Sequence, residues 1–237
     1  MQHSINKTLH VRVYCLLLWL LIAPRLVAQE YLVQTTHYGI EDGLSHRDVQ
    51  CVYQDRQNLI WLGTKYGLNR FDGLNFKWYT KETAGLQSNI ITKIAEDVKG
   101  RMWLISTEHR SYGEIGSIDI FDPVTEKVES FEKSFGGDAP FKPNDLLSIC
   151  QNTAGRLVLL TKYKELIIYD GKFKTIPICE ETPIIGQVIR CSPTGLIWLI
   201  INVAYTGKGQ PGGTTTLLAY DQNGTVVRRF EHTDHDF

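Results

Sequence analysis

Along most of the chain, apolar and polar residues alternate in runs of four to seven, broken by clusters rich in Asp, Asn and Gly. A period of two over such short runs predicts β-strands half-buried against a core, and the polar breaks predict tight turns. Val49 to Gln54 reads as a first strand, A, and Leu59 to Gly63 as a second, B. Gly67 to Phe71 and Phe76 to Tyr79 read as strands C and D. Asp55 to Asn58 links A to B as a hairpin: the Asp side chain bonds nearby backbone, and Asn tolerates positive φ. Gly100, Gly155 and Gly195 stand where Asn58 stands in later copies of the same pattern.

Those copies are the strongest signal. The segment Asp55 to Thr64, centred on Trp61, recurs around Trp103, Val158 and Trp198, at intervals of 42, 55 and 40 residues. A second marker follows each anchor: Phe71-Asp72, Phe121-Asp122, Tyr169-Asp170 and Tyr220-Asp221. Strand-like repeats of this length predict an all-β propeller built from four-stranded antiparallel blades. About four blades are present: 42–84, 85–140, 141–184 and 185–237. Positions that recur in every blade serve the blade itself, so Asp55, Trp61, Asp97, Gly100, Trp103, Gly155, Gly195 and Trp198 read as structural. The large flat indoles suit packing between neighbouring blades. Residues 31–41 resemble a strand D without its own A, B and C, and with the chain's end at Phe237 they predict a fragment of a larger, seven-bladed propeller.

The first 28 residues follow another pattern. Lys7 and Arg12 precede twelve uncharged, mostly apolar residues, Val13 to Pro24, and Ala28 offers a small residue for cleavage. This predicts a signal peptide over 1–28. An uncleaved signal anchor is the alternative, and either one places the remainder outside the cytoplasm. That remainder has 22 basic and 26 acidic residues without a basic run, which argues against a nucleic-acid surface.

Catalytic and metal chemistry leave no signature. Phosphate-binding glycine loops, His-Glu-x-x-His and Gly-x-Ser-x-Gly are absent from the sequence, no cofactor is implied, and the cysteines have no zinc spacing. Cys51 and Cys150, in apolar strands, predict buried free thiols, and Cys179–Cys191 is the pair open to bridging in an oxidising compartment. His232, Asp234, His235 and Asp236 lie at the C-terminus and read as a loop or frayed end. Binding is expected where loops depart from the repeat. The B–C links from Thr107 to Gly116 and from Asn202 to Gly213, and the D–A link from Glu132 to Pro143, are long and fall on one face in this parse. They place Tyr112 and Tyr205 to stack on a sugar ring, and Arg110 and Lys208 to meet a carboxylate.

A family resemblance rests on Asp42-Gly-Leu-Ser45, Val49-x-x-Val52-x-Gln-Asp55, Ile60-Trp-Leu-Gly-Thr64 and Gly67-Leu-Asn-Arg-Phe-Asp-Gly73. These resemble the two-component-regulator propeller repeat. The likeness extends over about 31–230 but is specific mainly over 42–107; the third copy has Val158 in place of Trp, and Asn152 and Ser192 replace the turn Asp. It implies a periplasmic sensor region of a hybrid two-component histidine kinase, anchored in the inner membrane when complete. Its partners would be a small-molecule or oligosaccharide ligand, and the further blades and kinase of the same protein, with room for a homodimer. This segment itself would not be an enzyme. A secreted propeller enzyme acting on glycans, or a protein-binding scaffold, are the alternatives.

Overall fold

The computed structural model describes residues 35–107, 115–163, 165–178, 185–203 and 214–233. The chain divides into a unit of residues 1–37 and a unit of residues 38–237. In the first, residues 35–37 have no regular structure, and the expected signal peptide lies outside the described residues. Of the strand expected over 31–41, residues 35–39 form none, and Ile40–Asp42 is a single 3-10 turn.

The second unit is nearly all-β. Its first sheet holds β1 (Val49–Gln54), β2 (Ile60–Thr64), β3 (Gly67–Phe71) and β4 (Phe76–Tyr79). The second holds β5 (Ile91–Glu96), β6 (Met102–Thr107), β7 (Ile115–Asp122) and β8 (Lys127–Ser130). The third holds β9 (Leu146–Gln151), β10 (Leu157–Thr161), β11 (Glu165–Tyr169) and β12 (Phe173–Pro177). The fourth holds β13 (Ile185–Cys191), β14 (Ile197–Val203), β15 (Thr214–Tyr220) and β16 (Val226–Thr233). Each sheet is an antiparallel meander in chain order, the form of a propeller blade. Two short helices, α1 (Lys81–Ala84) and α2 (Phe131–Phe135), sit in the links between blades. The register of the first two strands slips once in every blade, in the half away from their hairpin. Such bulges re-aim the ends of strands.

Alternation gives each blade two apolar faces, and successive blades share them. Trp61, Leu68 and Tyr79 of blade 1 meet Ile94, Met102, Leu104 and Phe121 of blade 2. Trp103, Ile105, Ile118 and Ile120 of blade 2 meet Ile149, Leu157, Leu159 and Tyr169 of blade 3. Val158, Leu160, Leu166 and Ile168 of blade 3 meet Ile189, Ile197, Leu199 and Tyr220 of blade 4. Four blades thus share three cores, and among the described residues no core joins blade 4 to blade 1.

The A–B hairpin is held by a latch. The Oδ1 of Asp55 accepts from the N–H groups of Gln57 (2.8 Å) and Leu59 (2.9 Å), while its Oδ2 accepts from the Trp61 indole at 2.7 Å. In blade 2, Asp97 Oδ1 bonds Lys99 and Arg101 N–H, and Oδ2 takes the Trp103 indole at 3.3 Å together with the Arg101 guanidinium at 2.9 Å. One carboxylate therefore fixes both the turn and the ring that packs on the next blade. Asn58, Gly100, Gly155 and Gly195 all take φ between 64° and 83°, the left-handed geometry that closes this turn.

The cysteine pairing differs from the sequence reading. Cys150 is not a free thiol; it is bonded to Cys191 across a Cα–Cα distance of 6.0 Å, and Cys179 lies outside the described residues. A propeller sets the first strands of adjacent blades side by side, so β9 and β13 bring together two cysteines 41 residues apart. Cys51 stays free, and burial pushes its thiol up to about 11.

Candidate functional site

A cleft of about 800 Å³ opens at the edge of blades 2 and 3. It lies on the side of the D–A and B–C links. Its principal wall is the D–A segment from Phe131 to Asp145; Gln87 and Tyr163 face it from other links, and Ser117 from the start of β7.

The sequence of that segment explains its course. Ser130 caps α2, its side chain accepting from Lys133 N–H at 3.2 Å, and Gly136 at φ 49° turns the chain out of the helix. Three aromatics pin the segment down. Phe131, 2% exposed, lies 5.6 Å from Trp103; Phe135 lies 5.1 Å from the same ring; and Phe141 lies 5.0 Å from Phe131. The core between blades 2 and 3 thus continues upward into the floor of the cleft. Aromatic clusters of this kind contribute ring-pair energy beyond their buried area.

Two buried carboxylates fasten the rim. Asp145, 5% exposed, accepts from Lys162 Nζ at 2.7 Å, from the Lys142 N–H at 3.0 Å and from the Tyr163 hydroxyl at 3.3 Å. Burial works to raise its pKa, but the Lys162 ammonium and the other donors outweigh it and hold the carboxyl below its usual range. Asp119, 1% exposed, accepts from both the N–H and the amide of Gln87, at 2.9 and 3.0 Å. Its pKa is raised, first by burial and then by the nearby Glu132 charge, against the lowering pull of Gln87. Both groups act on loops: Asp145 ties the B–C link of blade 3 to the D–A segment, and Asp119 ties down the link that enters blade 2.

The groups left at the surface are Tyr163, 60% exposed, with Lys162 Nζ 5.4 Å from its ring centroid, and the exposed side chains of Gln87, Glu132, Lys142 and Asn144. The cleft therefore combines one aromatic plane, several hydrogen-bonding groups and charges of both signs. That suits a neutral, hydroxyl-rich ligand better than a strongly charged one.

The four ligand candidates from the sequence, Arg110, Tyr112, Tyr205 and Lys208, lie outside the described residues, as do Asp234, His235 and Asp236. Of the three long links, the D–A segment is the one the structure describes, and it walls the cleft. Gln87, Asp119, Asp145 and Tyr163 escaped the sequence reading. Their signal was present in part: Asp48 with Lys65 in blade 1 and Asp145 with Lys162 in blade 3 form the same ion pair, at 2.6 and 2.7 Å, and blade 2 lacks it. Asn69 holds Ser45 in blade 1 just as Asp119 holds Gln87 in blade 2.

Residues 43–66 match the two component regulator propeller family. Over 70 residues the chain is 36% identical to histidine kinase P4 of Formosa agariphila, a match covering 30% of this chain and 5% of that protein. Among solved structures it is similar to the extracellular domain of a putative hybrid two component system from B. thetaiotaomicron, at 15% identity and a TM-score of 0.42, over 78% of this chain and 30% of the other. It is also similar to virginiamycin B lyase from Staphylococcus aureus, at 12% identity and a TM-score of 0.48, over 85% of this chain and 75% of the other.

Proposed function

We propose that this chain, which carries the two-component-regulator propeller repeat, is an extracytoplasmic ligand-sensing module that binds a glycan-derived ligand in the cleft between blades 2 and 3. The observation that carries the reading is the D–A segment 131–145, an insertion on the repeated scaffold that is pinned by three core aromatics and walls a cleft of about 800 Å³. A rigid wall under an exposed aromatic plane is a preorganised seat for a sugar ring. The carboxylates at the rim are taken up by Lys162 and Gln87, so they position loops and are not poised for acid–base work. The Cys150–Cys191 bridge supports an oxidising compartment, in line with the signal peptide that the sequence predicts over residues 1–28. Occupancy of the cleft would be passed to a histidine kinase elsewhere in the same protein.

The test is calorimetric titration of the exported chain with a panel of neutral and acidic oligosaccharides, repeated with Tyr163→Ala. The reading requires one glycan to bind, and Tyr163→Ala to weaken it about tenfold or more, roughly 1.4 kcal/mol. Binding that Tyr163→Ala leaves unchanged removes the cleft, and a panel without any binder removes the glycan.

A further inference from the structure

The A–B turns of blades 2 and 3 present the same arginine, but only one of them meets a carboxylate. In blade 2, Asp97 Oδ1 takes two backbone N–H groups, and its Oδ2 receives Arg101 Nε at 3.0 Å, Arg101 Nη2 at 2.9 Å and the Trp103 indole at 3.3 Å. In blade 3, Asn152 Oδ1 takes the two equivalent backbone N–H groups, from Ala154 and Arg156. Its Nδ2 therefore stands where Oδ2 stands in Asp97. Asn152 is 6% exposed, and both its Nδ2 and the Arg156 Nε are buried without an acceptor. Arg101 reaches the next blade at the Tyr169 hydroxyl, and Arg156 reaches it at the neutral Gln222 amide oxygen. No carboxylate among the described residues pairs with Arg156.

One turn thus offers two buried donors and an unbalanced guanidinium, at the place where the blade before it holds an anionic oxygen. Arginine keeps its charge at any ordinary pH, and unmatched buried donors cost stability. A water molecule would answer the donors and leave the charge. A single negative atom answers both, and the burial of the two nitrogens admits only a small one.

We propose that the blade 3 turn binds a halide ion, chloride in ordinary solution, between Arg156 Nε and Asn152 Nδ2, as a detachable counterpart of the Asp97 carboxylate. Because Arg156 also bonds Gln222 of blade 4, the ion tightens the join between blades 3 and 4. The inference does not depend on the ligand reading, because this turn shares no residue with the cleft between blades 2 and 3.

The test compares melting of the 237-residue chain in sodium chloride and in sodium gluconate at equal ionic strength. At about 0.5 M, chloride should raise the melting temperature by about 2–4 °C over gluconate. Asn152→Asp supplies the negative oxygen covalently, so it should melt above the parent in gluconate and lose the chloride response. Arg156→Gln should lose the response without that gain. Equal melting of the parent in the two salts overturns the proposal, and so does a chloride response that survives in Asn152→Asp. Crystals of the parent grown in sodium bromide give a readout that needs no variant. An anomalous scattering peak within hydrogen-bond range of both nitrogens is expected, and a site that shows none overturns the proposal.

Discussion

Blades 2 and 3 carry the same turn and use it differently. In blade 2, Asp97 holds both its turn and the Trp103 indole, and that ring meets Tyr169 and Phe173 of blade 3 as well as Phe131 and Phe135. In blade 3, Asn152 accepts the same two backbone bonds, from Ala154 and Arg156 N–H at 3.0 Å each, but the Val158 side chain has no N–H to match the indole and the Asn152 amide nitrogen is buried without a partner. The join to the next blade is then aliphatic, and it is supplemented by the Cys150–Cys191 bridge. What the repeat requires is a firm join between blades. An aromatic latch meets that requirement at one interface, and a covalent link between first strands contributes at the other.

The largest expected effect falls on the aromatic join. Trp103→Ala removes a side chain that is 0% exposed and should destabilise the chain by about 3–5 kcal/mol. Trp198→Ala, at a ring that is only partly buried and stacks on Phe230, should cost clearly less. Urea denaturation of both variants measures the contrast, and equal losses would break the comparison.

Next is the covalent join. Cys150→Ala should cost about 2–4 kcal/mol, and reductant should lower the melting temperature of the parent chain but not of the variant. Hydrogen exchange should show the loss in blades 3 and 4 more than in blades 1 and 2. Uniform loss over all four blades would mean that the bridge is not local to its interface.

The two turn residues should respond to exchange in opposite directions. Asp55→Asn turns an acceptor for the Trp61 indole into a group that can donate toward it, and about 1–3 kcal/mol of stability should be lost. Asn152→Asp replaces the unpartnered amide nitrogen by a carboxylate oxygen in the turn that also holds Arg156, whose Nε is buried without a partner, and by the pairing of Arg101 with Asp97 in blade 2 it should stabilise by about 1 kcal/mol. A loss of stability in Asn152→Asp would mean that the Arg156 guanidinium does not turn onto residue 152 as Arg101 does onto Asp97.

The smallest expected effect is at Asp119. Its raised pKa means that the folded chain holds the proton more tightly than the unfolded chain, so this carboxyl favours the fold at low pH and costs stability as pH rises. Asp119→Asn should therefore gain up to about 1 kcal/mol near neutral pH, with the gain fading as pH falls through the ordinary carboxylate range. Asn69 in blade 1 holds the same position with an amide, accepting from Ser45 N–H and donating to its hydroxyl; in Asp119→Asn the Gln87 amide must turn its oxygen to the new Nδ2, which caps the gain. Asp145 has the opposite sign: its carboxyl is lowered, and its contribution is lost as pH falls through the folded value. Chemical denaturation from pH 3 to 8 separates the two.

Much of this was legible from residue order. The strand runs of blade 1 stand within a residue of their observed bounds, because alternation and turn chemistry are local properties. The long D–A link could be read as a departure from the repeat. That Phe131, Phe135 and Phe141 would turn inward could not, because their partners Trp103, Tyr169 and Phe173 come from two different blades. The cysteine pairing failed for a related reason. Residue order left Cys179 with Cys191 as the pair open to bridging, but blade stacking places β9 beside β13 and joins Cys150 to Cys191.

Sequence by itself determined the strands, their meander order, the hairpin turns and the spacing of blades. Each of these rests on backbone preferences and on side-chain alternation within a few residues. Tertiary structure decided which faces meet, which cysteines join, where the cleft opens and which anchor ring is fully buried. Those outcomes depend on side chains 40 or more residues apart being brought into van der Waals and hydrogen-bond range. Packing and electrostatics act over a few ångströms in space, a separation that residue order does not encode.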